Sequence, residues 1–236
     1  MTDVAIIGVE QTRYGMFPER SLKDLFHEAV AEALADVDRG LDPADVGEAF
    51  IGTLSTGGSQ LGNFAPLMME AAGMVGVPVR HVENACASSG YAVRDAVAAI
   101  ASGRARIAIA GGVEKMSDLP RDRNRLWLGI SGDVEWERLA GTNFAGIYAM
   151  MARRHSFEYG TTKEQITMVA VKNRGNAVKN PKAQLRAAVK LECALEAPML
   201  AAPLTIADCC PITDGASVAI LCAADIARSF TDQSVL

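Results

Sequence analysis

The sequence predicts an α/β fold on two observations. Short apolar runs without polar alternation read as strands buried on both faces, and amphipathic or alanine-rich helical stretches separate them in regular succession. Crossovers between such strands are right-handed. With 236 residues, half of them hydrophobic, the chain is long enough for one large core or two small ones.

Val4-Ala5-Ile6-Ile7-Gly8-Val9 is the first apolar run. After a loop through Tyr14-Gly15-Met16-Phe17-Pro18, Leu22, Leu25, Phe26, Ala29, Val30, Ala33, Leu34 and Val37 recur at helical spacing, and Ser21 stands where an N-cap is needed. A break at 40–43 leads to a second strand over 46–52. The Gly-, Ser- and Thr-rich stretch 53–63 is then a loop at a strand's carboxyl end, placed either to approach a ligand or simply to connect. A helix over 64–72, with Pro66 in its first turn and Gly73 after its last, precedes a strand over 77–83. That strand delivers Cys86 to the start of an alanine-rich helix whose core stripe reads as Val93, Ala96, Val97 and Ile100, with Gly103 as its C-terminal cap. Arg106-Ile107-Ala108-Ile109-Ala110-Gly111-Gly112 is the next buried strand.

Beyond Ser117 the texture changes. Residues 117–186 hold eight Arg and four Lys against three Asp and four Glu, a net +5 in a chain whose total is −5. The segment reads as a polar loop with Arg121, Arg123 and Arg125, a helix near 142–159 with Phe144, Ile147, Tyr148, Met151 and His155 on one face, and a helix from Lys163 for which Thr162 and Gln165 form a capping box. A basic helical insertion on an acidic core is either a seat for a polyanionic ligand or a solvated surface. Strand texture returns at 205–209 and 217–222, on either side of a turn at Pro211-Ile212-Thr213-Asp214-Gly215.

Several classes are excluded. The negative net charge argues against general nucleic-acid binding, and no apolar run reaches the length of a membrane span. The start, Met1-Thr2-Asp3, has neither a basic nor an apolar leader region, so a cytoplasmic protein is expected. Gly8-Val9-Glu10-Gln11 lacks the glycines of a dinucleotide fingerprint, and no P-loop motif occurs. Cys86, Cys193, Cys209, Cys210 and Cys222 make no CxxC pair, and His27, His81 and His155 are scattered, which points to reduced thiols and no metal site.

Cys86 is the candidate nucleophile. A thiol at a helix start feels the positive end of the macrodipole and free backbone N–H groups, which favour the thiolate. A lone cysteine is otherwise more often a small buried apolar residue.

The wider context resolves that choice. Cys86 at a βα junction, followed by Gly111-Gly112-Val113-Glu114-Lys115-Met116-Ser117, resembles the N-terminal half of a thiolase. Tyr148-Ala149-Met150-Met151-Ala152-Arg153-Arg154, Glu158-Tyr159-Gly160-Thr161-Thr162, Val169-Ala170-Val171-Lys172-Asn173 and Asp208-Cys209-Cys210-Pro211-Ile212-Thr213-Asp214-Gly215-Ala216 are similar to the sterol-carrier-protein-linked and archaeal branch. The resemblance implies a layered βαβαβαββ half, residues 1–116 with 204–236, and an inserted, mainly helical loop domain at 117–203. It implies acyl transfer from acyl-CoA or 3-ketoacyl-CoA through a Cys86 thioester, with the Cys86 N–H as an oxyanion donor. Met116, Phe144, Tyr148 and Met151 would line the acyl pocket, or else pack the insertion. Coenzyme A is substrate, and neither metal nor redox cofactor is called for.

Family members work in lipid metabolism as homodimers or tetramers, and several of this branch pair with a small zinc-ribbon and OB-fold protein. Two departures stand out. Ser89 occupies the third position after the nucleophile, where the family carries glycine, and Gly90 follows. The family is also longer, its second half supplying the activating histidine and a second cysteine. The expectation is a truncated chain, inactive alone, with an apolar face left open. Two other readings are a CoA-ester aldolase or condensing enzyme of the same superfamily, and a non-catalytic subunit that binds acyl-CoA or a partner.

Overall fold

A computed structural model describes residues 2–55 and 62–236; residues 56–61 of the glycine-rich loop lie outside the described residues. In chain order the elements are β1 (Val4–Gln11), α1 (Leu22–Ala35), β2 (Glu48–Gly52), α2 (Phe64–Ala71), β3 (Val79–Val82), α3 (Ser88–Ala101) and β4 (Ile107–Glu114). There follow α4 (Arg121–Gly129), α5 (Phe144–Tyr159), α6 (Lys163–Val178), α7 (Leu191–Leu195), β5 (Met199–Ala201), β6 (Leu204–Thr205) and β7 (Gly215–Ala223). They form two compact units, Met1–Asp118 with Thr213–Leu236, and Leu119–Ile212. Residues 204–212, grouped with the core on sequence, therefore fall in the second unit.

The first unit is an α/β sandwich. Its sheet has the order β1-β7-β4-β2-β3; β2, β3 and β4 are parallel, and β7 runs antiparallel to both β1 and β4. Side chains alternate across each strand, so both faces are apolar. Ile7, Ala49, Ile51, Ile109, Val218 and Ile220 pack under α1 and α2, whereas Phe50, Ala108, Ala110 and Leu221 pack under α3. Ser21 caps α1 as expected: its hydroxyl accepts from the Asp24 N–H at 3.1 Å while the Asp24 carboxylate accepts from the Ser21 N–H at 2.8 Å.

The buried face of α3 differs from the expected stripe. Ala92, Ala96, Ala99 and Ile100 are buried, whereas Val93 and Val97 stay over a third exposed. Hydrophobicity alone favoured the valines. Alanine wins because a helix with small side chains can lie closer to the sheet over Phe50, Ala108 and Ala110.

The second unit carries α4 to α7 and a two-stranded β5–β6 ribbon. The arginine-rich stretch expected as a loop is helical as α4, started by Pro120, whose carbonyl accepts from the Asn124 N–H at 3.0 Å. The capping box of Thr162 and Gln165 is present on α6. The strand expected over 205–209 is limited to Leu204–Thr205, because Asp208 turns the chain into a 3-10 turn at Ile206–Asp208. Its carboxylate accepts from the Thr205 N–H at 2.7 Å, the Thr205 hydroxyl at 3.0 Å, the Thr167 hydroxyl at 3.0 Å and the Lys163 ammonium. Burial pushes the Asp208 carboxyl up, but these bonds outweigh it and hold it below its ordinary value.

Asp214 pins the return of the chain to the first unit. Its fully buried carboxylate accepts from the backbone N–H groups of Phe17, Met116 and Ser117 at 3.0, 2.9 and 2.9 Å and from the Ser117 hydroxyl. The buried Lys115 ammonium lies 3.6 Å away and donates to the Phe17 carbonyl at 2.9 Å and to Asp118 at 2.6 Å. Three chain segments thus meet on one charge. Burial raises the Asp214 carboxyl, yet the bonds from Ser117, Phe17 and Met116 prevail and lower it from 3.8. A depressed carboxyl stabilises the fold above its unfolded pKa and loses that contribution as the pH falls through its folded value. Asp214→Asn is expected to cost about 3 kcal/mol in urea unfolding at pH 7, because Lys115 loses its buried counter-charge. The gap between variant and wild type should close as the pH is taken progressively below 3.8.

Candidate active site

Cys86 follows β3 and lies at the carboxyl ends of the parallel strands, where ligands bind in open α/β sheets. It does not sit on the helix itself. It occupies a 3-10 turn, Ala85–Ala87, and α3 begins two residues later at Ser88. The side chain is exposed, in contrast to Cys222, whose thiol burial pushes up to about 11.

The turn uses most of its polar groups internally. The Asn84 N–H donates to the Ser88 hydroxyl at 2.9 Å, and that hydroxyl donates to the Ala85 carbonyl at 2.7 Å. The Ala85 N–H donates to the Glu83 carboxylate at 2.6 Å, and the Ala87 N–H to the Asn84 carbonyl at 3.0 Å. Among the described residues the Cys86 N–H has no acceptor, so an exposed thiol and a free backbone donor belong to the same residue. Ala85 has φ +47°, a left-handed conformation that costs a non-glycine residue about 1 kcal/mol.

The turn also rests directly on the sheet. A Cβ on Gly52, the last residue of β2, would stand 2.9 Å from the backbone of both Ser88 and Ser89. A Cβ on Gly112, its partner on β4, would collide with the Ser89 hydroxyl and lie 2.8 Å from the Gly52 carbonyl. Both glycines are required by close approach. Ser89, where the sequence resemblance implies glycine, is thus accommodated by the absence of a side chain at Gly112.

The other expected site residues fall in two places. Met116 belongs to the first unit, with its N–H held by Asp214. Phe144, Tyr148 and Met151 come together in the second unit, where they line a pocket of about 220 Å³ with Ile147, Leu128 and Glu137. The Phe144 and Tyr148 rings are 6.3 Å apart. Two of the three histidines are engaged elsewhere: His81 lies 3.3 Å from the Thr53 carbonyl and 5.3 Å from the Phe64 ring, and His155 is 2.9 Å from the Thr161 hydroxyl. Among the described residues no hydrogen bond joins Cys86 to a histidine, no cluster of three or more His, Cys, Asp or Glu is placed to hold a metal ion, and no helix is long and apolar enough to cross a membrane.

A family model described as the N-terminal domain of thiolase matches residues 4–192. The chain belongs to the thiolase family. It is 43% identical over 236 residues to an acetyl-CoA acetyltransferase of Methanothermobacter thermautotrophicus, covering all of this chain and 61% of that protein. Human sterol carrier protein 2 is 30% identical, over 98% of this chain and 43% of its own length. Among solved structures, an Ltp2-ChsH2(DUF35) aldolase superposes with a TM-score of 0.82 at 26% identity, over 99% of this chain and 59% of that one. The chain spans no more than about three fifths of the length of these proteins.

Sequence reading of this thiolase chain missed the groups that hold Cys86 in place. Gly52 and Gly112 end apolar runs, which was the available signal, but their need to be glycine depends on a helix that lies over them. Ser88 gave no signal beyond its place in the motif. Gly52→Ala is expected to displace the start of α3, cost about 1–3 kcal/mol in thermal or urea unfolding, and change the rate at which iodoacetamide labels Cys86 in peptide mapping.

Proposed function

We propose that this chain is the nucleophile-bearing half of a thiolase-type acyltransferase that acts on acyl-CoA or 3-ketoacyl-CoA through a thioester on Cys86. One observation carries the reading: at the carboxyl ends of the parallel strands, an exposed thiol and a backbone N–H without an acceptor among the described residues belong to one residue. In cleavage, the Cys86 thiolate attacks the 3-keto carbonyl, and the developing oxyanion is met by the Cys86 N–H. The C2–C3 bond breaks, its electrons pass to the acetyl-CoA enolate, and an acid protonates C2. CoA thiolate then attacks the Cys86 thioester, takes the acyl group and restores the Cys86 thiolate. Condensation runs the same steps in reverse.

The base and the acid are assigned to chain beyond these residues, in keeping with the greater length of the relatives. Val93 and Val97, one turn apart, leave an apolar strip exposed on α3, and we assign that strip to packing against this second half. Activity then needs both halves. Coenzyme A is a substrate here, and the basic second unit suits its phosphates. The reading keeps Phe144, Tyr148 and Met151 as acyl-pocket lining and Met116 as a separate candidate in the first unit; the pocket that the former three line, about 220 Å³, compares with the roughly 150 Å³ that holds benzene, which suits a short or singly ringed acyl group. A cytoplasmic homodimer or tetramer in lipid metabolism completes it. The likeness to the aldolase supports a partner protein of the DUF35 type, and it favours one second reading, cleavage of a CoA ester by aldol chemistry with no acyl-enzyme.

The deciding experiment incubates the full-length protein with acetyl-CoA and maps its peptides. An acetyl adduct is expected on Cys86, and Cys86→Ser should remove it and lower kcat by about 10⁴-fold or more. Aldol cleavage without an adduct would establish the second reading instead. Tyr148→Ala is expected to raise KM for the preferred acyl-CoA about tenfold with kcat little changed, as loss of uniform apolar binding does.

A further inference from the structure

We propose that Ser88 is a positioning residue for Cys86, its hydroxyl clamping Ala85 in the left-handed conformation that leaves the Cys86 N–H without an acceptor among the described residues. The proposal rests on the assignment of Cys86 as nucleophile, and it extends that assignment to a group that touches neither substrate nor the reacting sulfur.

The argument follows from the bonds of the turn. Ser88 is buried at 5% exposure, and its hydroxyl uses both of its capacities within the turn, accepting from the Asn84 N–H at 2.9 Å and donating to the Ala85 carbonyl at 2.7 Å. The Ala85 carbonyl also accepts the Ser88 backbone N–H, so it is gripped twice from the same residue. Between the two clamped groups lies the one residue of the turn with φ +47°, and it is alanine, for which that conformation is unfavourable without an external hold. Glu83 supplies the other hold, through the Ala85 N–H at 2.6 Å. Ser88 itself cannot drift, because its backbone lies over Gly52. The sheet therefore fixes Ser88, Ser88 fixes Ala85, and Ala85 sets the direction in which the next peptide N–H points.

Removal of the hydroxyl frees Ala85 to relax into the right-handed or extended regions. The Cys86 N–H then turns away from its present direction, and Cys86 loses its preset relation to an oxyanion. A glycine at position 85 should reverse this, since glycine adopts φ +47° without steric penalty and needs no clamp. Rescue of a lost hydroxyl by a glycine three residues earlier is not expected of a serine that merely fills space.

The test uses the full-length protein in four forms: wild type, Ser88→Ala, the double variant Ser88→Ala with Ala85→Gly, and Cys86→Ser. Two readouts are taken, steady-state kinetics with acetoacetyl-CoA and the pH dependence of iodoacetamide labelling at Cys86 by peptide mapping. Ser88→Ala is expected to lower kcat about tenfold, a fraction of the 10²–10³ that follows loss of a whole oxyanion donor, with KM changed less than about threefold. It should also change the labelling profile of Cys86, and the double variant should return both readouts toward wild type. The proposal is overturned if Ser88→Ala leaves the labelling profile unmoved, or if Ala85→Gly repairs neither readout. It is also overturned if Ser88→Ala only lowers the melting temperature and Ala85→Gly does not restore it, because the hydroxyl would then hold the fold rather than the turn. Labelling does not require turnover, so it tests the clamp even if wild type forms no acyl-enzyme, an outcome that would remove the acyltransferase reading alone.

Discussion

Close approach between α3 and the sheet is the constraint from which the geometry of the site follows. A helix can reach this depth only where the strands beneath it present no side chains, and there β2, at its end, and β4 carry the register pair Gly52 and Gly112. The alanine face of α3 meets the same requirement further along, over Phe50, Ala108 and Ala110. Once the helix is seated, the backbone of Ser88 and Ser89 has no freedom to move toward the sheet, and the turn that carries Cys86 must bend outward. Exposure of the thiol is thus a consequence of packing beneath it.

Buried charge does the remaining work of fixing segments that are distant in sequence. Asp214 joins the loop after β1, the end of β4 and the entry to β7, and Asp208 does the equivalent within the second unit for the start of α6 and the turn after β6. In both, burial alone would favour the neutral acid, and several short hydrogen bonds to one carboxylate reverse that preference. Each anchor includes a lysine, which supplies charge balance as well as direction.

Most of the core was legible in the sequence because its strands are buried on both faces and so appear as unbroken apolar runs. Val4 to Val9 and Ile107 to Gly112 are examples, and the caps of α1 and α6 were readable from Ser21 and Thr162. The errors share a cause. Val93 and Val97 outrank alanine in hydrophobicity, but contact distance decides the buried face of α3. The segment around Arg121 looks like a loop until Pro120 is recognised as a helix start, and residues 205–209 look extended until Asp208 is seen to turn the chain. In the site, Cys86 was visible from its motif, whereas the left-handed Ala85 was not, since nothing in the residue type announces it. Ser88 and the pair of Lys115 and Asp214 became meaningful only when distant segments met.

The sheet order has a consequence for how the chain is made. β7 lies between β1 and β4, pairing Val4 with Ala223 and Ile107 with Cys222, so β1 leaves the ribosome long before the strand it pairs with. The whole of Leu119–Ile212 must emerge in between. Until then β1 has no strand neighbour and β4 has one open edge, both apolar, which is the form of nascent chain that chaperones recognise and that aggregates when they are overwhelmed. Loop closure over such a separation also makes the final docking step slow relative to the local helices. Synthesis of the insertion therefore acts as a timer on completion of the sheet beneath Cys86, and the second unit has the opportunity to fold before the first one closes.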